Sequence, residues 1–152
     1  MKLQRDLKEF IELLNSHGVE YLVVGGHAVA FHGYPRYTGD IDFLVRATEQ
    51  NASRIATVIE KFGLPDAQEL KRILVLQEKI VQIGRPPNRI DILTSASGVD
   101  FNEAWDRALT GSLDGVPVRF LDLGTLLENK RASGRSKDLA DVVELENVAK
   151  RR

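Results

Sequence analysis

A chain of 152 residues, of which 43% are hydrophobic and 28% charged, carries enough apolar material for a core, and this composition excludes a disordered chain. The net charge of −1 excludes a fold that is basic throughout, and the absence of cysteine excludes disulfides and thiolate metal sites. The first residues are amphipathic and charged, unlike a signal peptide, and no apolar run approaches the roughly 20 residues of a membrane helix. We therefore expect one cytoplasmic domain over residues 1–152, with no membrane partner.

Helical and strand patterns alternate in the first half of the chain. Apolar residues at helical spacing predict a helix over residues 3–14, and EYLVV predicts a buried strand that runs into a pair of glycines. A short helix closed by Gly33, a loop rich in Gly and Pro, and the strand DIDFLV follow. Thr48 is the candidate N-cap of a clear helix that ends before Gly63.

The second half of the chain predicts further strands before it returns to helices. RILVLQ, KIVQIG and NRIDILT read as strands, DFNEAWDRAL as a helix, and GSLDGVPVRFL as a hairpin around Asp114 and Gly115. Asp122 and Ser136 are candidate N-caps of the last two helices. The expected fold class is α/β (α+β), a mixed β-sheet flanked by helices, with extra C-terminal helices.

Carboxylates interrupt two apolar strands. Asp40 and Asp42 are two residues apart, so they share one face of their strand, and Asp91 lies alone within NRIDILT. If the strands are neighbours, these carboxylates converge, and two charges about 4 Å apart repel by about 4 kcal/mol at an effective dielectric of 20. A raised pKa or a bound cation offsets such repulsion, and oxygen donors without His or Cys suit Mg²⁺. The alternative is that they are solvent-facing or turn-forming aspartates.

The glycine pair Gly25 and Gly26 joins a predicted strand to a predicted helix. Glycine lets the backbone approach a ligand closely, and a helix N-terminus presents free N–H groups that favour phosphate. The alternative is a tight turn with no ligand. A phosphate cradle beside a Mg²⁺ site is what triphosphate chemistry requires.

This combination resembles a minimal nucleotidyltransferase of the DNA-polymerase-β-like superfamily, with its palm-type fold. The matching segments are VVGG at 23–26, DID at 40–42 and IDIL at 90–93, and the resemblance covers roughly residues 21–145. The form RYTGDID and the C-terminal KRASGRSKDLADVVEL resemble the AbiEii-like toxins of toxin–antitoxin systems, and the small size is also similar to antibiotic nucleotidyltransferases.

The resemblance implies an enzyme of the EC 2.7.7 type that moves a nucleoside monophosphate from an NTP, such as ATP, to an acceptor hydroxyl and releases pyrophosphate. Asp40, Asp42 and Asp91 would be catalytic and would bind two Mg²⁺ ions, with Mn²⁺ as a substitute; Asp91 would also help to activate the acceptor. Gly25 and Gly26 would bind the nucleotide triphosphate. Many members have Ser where this chain has Gly26, so here only the backbone N–H could serve.

Other polar residues are weaker candidates for nucleotide binding. Thr38 has the same strand parity as the DID carboxylates, and Arg36 would either neutralise triphosphate charge or lie in solvent. His27 follows the glycine pair and could touch a phosphate. Arg85 and Arg89 lie in the loop GRPPNR, where a surface position is the default.

A basic cluster surrounds the predicted helix break SGRS. Lys130, Arg135 and Lys137 could meet phosphates, although charged residues at helix ends are commonly solvated, and Lys137 is preferred because it belongs to the family-like KDLAD segment. Asp138 and Asp141 are three residues apart on one helical face, where pairing with Arg135 or Lys137 is the expected structural role.

The sequence leaves several functions open. The acceptor would be tRNA, a protein or a small molecule, and an antitoxin partner or a second copy of the chain could complete the acceptor surface. One alternative is a nucleotide-binding or partner-binding regulatory protein of the same fold with little catalysis. Another is a Mg²⁺-dependent phosphohydrolase, which uses similar ligands.

Overall fold

A computed structural model describes residues 4–35, 39–85 and 88–151. The helices are α1 (Arg5–Ser16), α2 (Gly25–Phe31), α3 (Glu49–Lys61), α4 (Lys71–Leu74), α5 (Phe101–Arg107), α6 (Leu123–Ser133) and α7 (Ser136–Lys150), and a 3-10 turn spans Ala67–Leu70. The strands are β1 (Tyr21–Val24), β2 (Ile41–Val45), β3 (Ile80–Ile83), β4 (Ile90–Leu93), β5 (Leu109–Leu113) and β6 (Val116–Phe120).

The strands form one six-stranded mixed sheet in the order β3-β4-β2-β1-β6-β5. The pairs β2–β4 and β1–β6 are parallel, and the other three pairs are antiparallel. The sheet and its flanking helices confirm the predicted α/β class, including the extra C-terminal helices α6 and α7. Among the described residues, no helix is both long and apolar enough to cross a membrane.

The core explains why one face of β2 differs from the other. All of β1 is buried, and β2 is buried except for Asp42, which is half-buried. Phe43 packs against Phe10 of α1, with ring centroids 5.9 Å apart, so α1 covers the face of β2 that carries Phe43. Because successive strand residues point to opposite faces, Asp42 lies on the other face.

The predicted turn chemistry is confirmed at several boundaries. The side chain of Thr48 accepts a hydrogen bond from the N–H of Asn51 at 3.3 Å, and that of Asp122 accepts one from the N–H of Thr125 at 3.2 Å. The β5–β6 hairpin turns at Asp114 and Gly115, both with positive φ (50° and 79°), as a two-residue hairpin turn requires.

The predicted cap of the last helix is wrong by one residue. Ser136 is the first residue of α7 rather than its cap, and Arg135 holds the N-cap position without a side-chain cap hydrogen bond. Helix ends are the least certain part of a pattern, because a cap and a first-turn serine have the same local sequence.

The predicted strand RILVLQ is also wrong. Its first residues belong to the single-turn helix α4, which follows the 3-10 turn, and the chain re-enters the sheet only at β3. Leu74 is fully buried, whereas Leu76 is half-exposed, so the apolar run has one anchor in the core rather than a buried face. Periodicity alone cannot distinguish a strand from a helix in so short an apolar run.

Candidate functional site

The parallel pair β2–β4 brings the predicted carboxylates together. Asp42 and Asp91 are direct register partners, and neighbouring strands lie about 4.8 Å apart, so both side chains occupy one face of the sheet. Asp40 lies just before β2, and its Oδ1 accepts a hydrogen bond of 3.0 Å from the N–H of Arg89. The two strands are thus neighbours, which is the condition under which the sequence places these carboxylates together.

A guanidinium stands among these carboxylates. Arg89 donates from Nε to Oδ1 of Asp91 at 2.9 Å and from Nη2 to Oδ2 of Asp91 at 3.1 Å, and its Nη2 lies 3.8 Å from Oδ2 of Asp40. The side chain of Arg89 is 30% exposed, in agreement with the expected surface position, but its guanidinium is held at Asp91. The missed signal is its spacing: Arg89 precedes Asp91 by two residues, which places both side chains on one face of the strand.

The carboxyl group of Asp42 is harder to ionise than that of an ordinary aspartate. Burial raises the pKa of Asp42 to about 6, and the charge of Asp91, a hydrogen bond shared with Asp91 and the charge of Asp40 act in the same direction. Arg89 opposes this rise only in part. In turn, the hydrogen bonds to Asp91 and the surrounding negative charge raise the pKa of Arg89.

Gly25 lies directly against Asp42. Its φ of 67° is left-handed, and a Cβ placed on it would overlap the carboxylate oxygen Oδ2 of Asp42. Only glycine therefore fits both the backbone conformation and the space. Gly26 follows in the first turn of α2 and is half-buried.

A cleft of about 270 Å³ connects the carboxylate cluster with the C-terminal helices. Gly25 and Asp42 line one side of the cleft, and Lys130, Arg135 and Asp138 line the other. The cleft thus has an acidic wall from the sheet and a wall of mixed charge from α6 and α7.

Lys130 is buried at the junction of α6 and α7, in contrast to the solvated position expected for a charged residue near a helix end. Its Nζ lies 3.3 Å from Oδ1 of Asp138 and 2.9 Å from Oδ2 of Asp141. Ser133 and Arg135 also donate to Oδ2 of Asp138, Arg135 at 2.8 Å. Burial alone would raise the pKa of Asp138, but these hydrogen bonds and the Lys130 charge outweigh it and lower the pKa to about 2.

Of the remaining predicted residues, those that the structure describes do not line this cleft. Lys137 is exposed in the first turn of α7, outside the set of residues that line the cleft. Arg36 and Thr38 lie outside the described residues. His27 is 3% exposed, burial lowers its pKa, and neither ring nitrogen has a hydrogen-bond partner within the part of the chain that the structure describes.

The donor set suits a divalent cation, although Arg89 now occupies part of it. Within residues 4–35, 39–85 and 88–151, no three acidic or histidine side chains are already arranged to hold a metal ion. Carboxylate oxygens are nevertheless the ligands that Mg²⁺ prefers, and burial, together with the charges of Asp91 and Asp40, raises the pKa of Asp42. Asp40, Asp42 and Asp91 are the residues that would hold such a cation.

Comparison with solved structures finds a likeness over most of the chain. A crystal structure of an antigenic nucleotidyltransferase-like protein from Paracoccidioides brasiliensis superposes with a TM-score of 0.53 and 14% identity, over 95% of this chain and 78% of that chain. No family model and no curated protein matches the sequence. At this identity the likeness shows the fold alone, and this fold is nucleotidyltransferase-like.

Proposed function

We propose that this protein is a Mg²⁺-dependent nucleotidyltransferase, which transfers a nucleoside monophosphate from an NTP to an acceptor hydroxyl. The observation that carries the proposal is the register pairing of Asp42 with Asp91 on one face of the parallel strands, beside a cleft bordered by Gly25. The nucleotidyltransferase-like fold gives this constellation a matching framework.

In the proposed reaction, the acceptor oxygen bonds to the α-phosphorus, and the bond from that phosphorus to the bridging oxygen of the β-phosphate breaks, which releases pyrophosphate. The acceptor proton would pass to Asp91, the carboxylate to which the resemblance assigns activation of the acceptor. Bound Mg²⁺, held by Asp40, Asp42 and Asp91, would neutralise phosphate charge and acidify the acceptor hydroxyl.

The cleft supplies the proposed nucleotide site. The Gly25–Gly26 backbone would lie against the triphosphate, and Arg135 is the cleft-lining cation with 79% of its side chain exposed and thus accessible to phosphate oxygens. Arg36, Thr38 and Lys137 stay further candidates for nucleotide contacts.

We also propose a narrower function, which rests on the C-terminal sequence motif. The toxin half of a toxin–antitoxin pair, with an AbiEii-like function, fits the KRASGRSKDLADVVEL segment, whose Lys130, Arg135 and Asp138 line the cleft. The acceptor would be a tRNA, a protein or a small molecule, and an antitoxin or a second copy could complete its surface.

A second candidate function has one observation in its favour. Arg89 satisfies both oxygens of Asp91, so the fold could bind nucleotide or a partner with little catalysis. Such a protein would not turn over NTPs at any Mg²⁺ concentration.

The test compares two positions of the label on each NTP. The protein is incubated with Mg²⁺, host lysate and NTP that carries ³²P at either the α- or the γ-phosphate. Nucleotidyl transfer predicts a macromolecule or small molecule labelled from the α-position only, with the γ-label recovered in pyrophosphate. Inorganic phosphate released from the γ-position, without a labelled acceptor, would indicate a phosphohydrolase instead, and no change in either label would favour binding without catalysis.

A further inference from the structure

A second groove continues the cleft towards the β3 edge of the sheet. This groove, which we call the edge groove, has a volume of about 570 Å³. It is lined by residues 77–80, by Leu93 at the end of β4, and by Ser95, Ala96 and Ser97 of the loop that follows. The last four residues also line the cleft, so the two depressions share a wall and are continuous.

The edge groove lies on the sheet face that carries the carboxylates. Ile80 and Leu93, which both line the groove, are register partners of β3 and β4. Leu93 follows Asp91 by two residues, so their side chains share a face of β4, about 7 Å apart along the strand. Asp91 is in turn the register partner of Asp42, which lines the cleft. A molecule in the edge groove therefore lies beside the carboxylates, on the side away from Gly25.

Hydrogen bonds between its two sides hold the edge groove in shape. The N–H of Glu78 donates to Oγ of Ser95 at 2.9 Å, and the N–H of Lys79 donates to Oγ1 of Thr94 at 2.9 Å. Glu78 has a left-handed φ of 60°, a conformation that a residue other than glycine keeps only when its surroundings fix it. The groove is thus preformed, and a ligand need not order it.

The outer edge of β3 can pair with a further strand. The strand order begins with β3, so among the described strands it has a neighbour on one side alone. The carbonyl of Lys79 accepts from the N–H of Thr94 at 3.0 Å, one step beyond the Ile80–Leu93 pair. Because hydrogen bonding alternates along an antiparallel pair, the N–H and C=O groups of Ile80 and Gln82 point away from β4. An extended polypeptide is the ligand that such groups bind.

The charges of the edge groove favour a polypeptide over a nucleic acid. The charged residues that line it are one anion, Glu78, and one cation, Lys79. RNA binding requires an excess of positive charge, which this lining does not have. Ile80 is 57% exposed and offers apolar surface that an alternate side chain of an added strand would cover.

We propose that the edge groove is the acceptor site, and that the acceptor is a Ser, Thr or Tyr hydroxyl of an extended polypeptide added to β3. The side-chain oxygen bonds to the α-phosphorus of the NTP, and the bond from that phosphorus to the bridging oxygen breaks, which releases pyrophosphate. The hydroxyl proton passes to Asp91, and the product is a phosphodiester. This inference rests on the proposed function, since it names the acceptor of that reaction.

The first test offers defined acceptors to the protein with Mg²⁺ and α-³²P NTP. The probes are a random hexapeptide library with blocked ends and a central Ser, Thr or Tyr, the N-acetyl amides of these single amino acids, and bulk tRNA. The hexapeptides should be labelled at least about tenfold faster than the amides at equal hydroxyl concentration, because only they can pair with β3. Equal labelling of the amides would overturn strand addition.

The second test changes the edge of β3. Gln82→Pro removes an outward N–H and leaves the β3–β4 ladder intact, so the KM for hexapeptide should rise by about tenfold while the KM for NTP stays unchanged. Ile80→Lys should raise the peptide KM in the same way, and it carries the test if Gln82→Pro does not fold. Leu109→Lys is the matched control, because Leu109 is 45% exposed on the opposite edge strand, β5.

The outcomes separate this inference from the proposed function. Peptide KM values that match the parent in folded Gln82→Pro and Ile80→Lys proteins would overturn the inference. Label transferred to tRNA, or to a small molecule of host lysate, while the hexapeptides stay unlabelled would keep the nucleotidyltransferase and overturn the polypeptide acceptor. The absence of any labelled acceptor would overturn both.

Discussion

Gly25 lies so close to the carboxylate of Asp42 that no side chain fits at position 25. Gly25 ends the passage from β1 to α2 with a left-handed φ of 67°, and a Cβ there would overlap Oδ2 of Asp42. The turn after β1 and the carboxylate on β2 therefore form one structural unit, in which the glycine is required by space as well as by backbone conformation.

Gly25→Ala should be more harmful than an ordinary alanine at positive φ. The strain of the left-handed conformation costs about 1–2 kcal/mol, and here the new methyl group must also displace the Asp42 carboxylate. Gly18→Ala is the matched control, since its φ is 65° and its nearest neighbour, Nη1 of Arg54, lies at an ordinary 3.8 Å. Urea unfolding should show a clearly larger loss for Gly25→Ala, and equal losses would refute the close contact.

Asn51 should be one of the most sensitive polar residues of the fold. It is 1% exposed; its Oδ1 accepts from the N–H of Glu20 at 2.8 Å, and its Nδ2 donates to the carbonyls of Glu20 at 3.0 Å and Arg46 at 2.9 Å. Asn51→Ala removes a partner from each of these backbone groups, of which the Glu20 carbonyl keeps the N–H of Arg46 at 3.2 Å, so we expect a loss of about 2–4 kcal/mol in the free energy of unfolding. Gln68→Ala, at an exposed hydrogen bond, should change it by about 0.5 kcal/mol or less.

Two adjacent cations of α6 should differ sharply in their contribution to stability. Lys130 is buried between Asp138 and Asp141, so Lys130→Met removes the buried cation that these two carboxylates share and should cost about 3–5 kcal/mol. Arg131 pairs with Glu146 at 3.0 Å at the surface, and Arg131→Met should cost at most about 1 kcal/mol. Comparable midpoints in chemical denaturation would mean that the Lys130 network contributes no more than a surface pair.

His27 should make stability depend on pH in the mildly acidic range. Burial lowers its pKa in the folded protein below the usual value of 6.5, so the unfolded chain takes up the proton more readily. The protonation of His27 therefore contributes nothing above the unfolded pKa and destabilises the fold as pH falls below it. Because both ring nitrogens lack partners among the described residues, an apolar replacement leaves no new unpaired group.

The comparison for His27 is between the parent and His27→Leu, unfolded in urea at a series of pH values. Their stabilities should be similar at pH 8, and the variant should become the more stable of the two as pH falls from about 6.5 to about 5. A difference that does not change with pH would indicate that the imidazole is not held neutral by burial.

Local patterns predicted the parts of the fold that local chemistry decides. The strand that runs into the Gly25 turn, the caps at Thr48 and Asp122, and the hairpin at Asp114 each depend on residues within a few positions of one another. RILVLQ failed because four successive apolar residues fit a strand or a helix equally well, and only packing decides between them.

Within the candidate site, contacts between residues that are far apart in the sequence were harder to predict. Strand parity placed Asp40 and Asp42 on one face, but only the β2–β4 register brings Asp91 to Asp42. The same two-residue spacing places the side chain of Arg89 beside that of Asp91. The burial of Lys130 depends on the packing of α6 against α7, which no single helix pattern contains.

The most direct test of the central claim is the transfer of α-³²P label by Asp42→Asn. Because burial and neighbouring carboxylates raise the pKa of Asp42 to about 6, its charge costs stability above that pH, and the variant should be at least as stable as the parent at pH 7.5. Its transfer rate should nevertheless fall by about 100-fold or more, while Asp106→Asn, at an exposed position of α5, labels acceptor as the parent does. A folded Asp42→Asn protein that transfers label at the parent's rate would contradict the assignment of this carboxylate cluster as the active site.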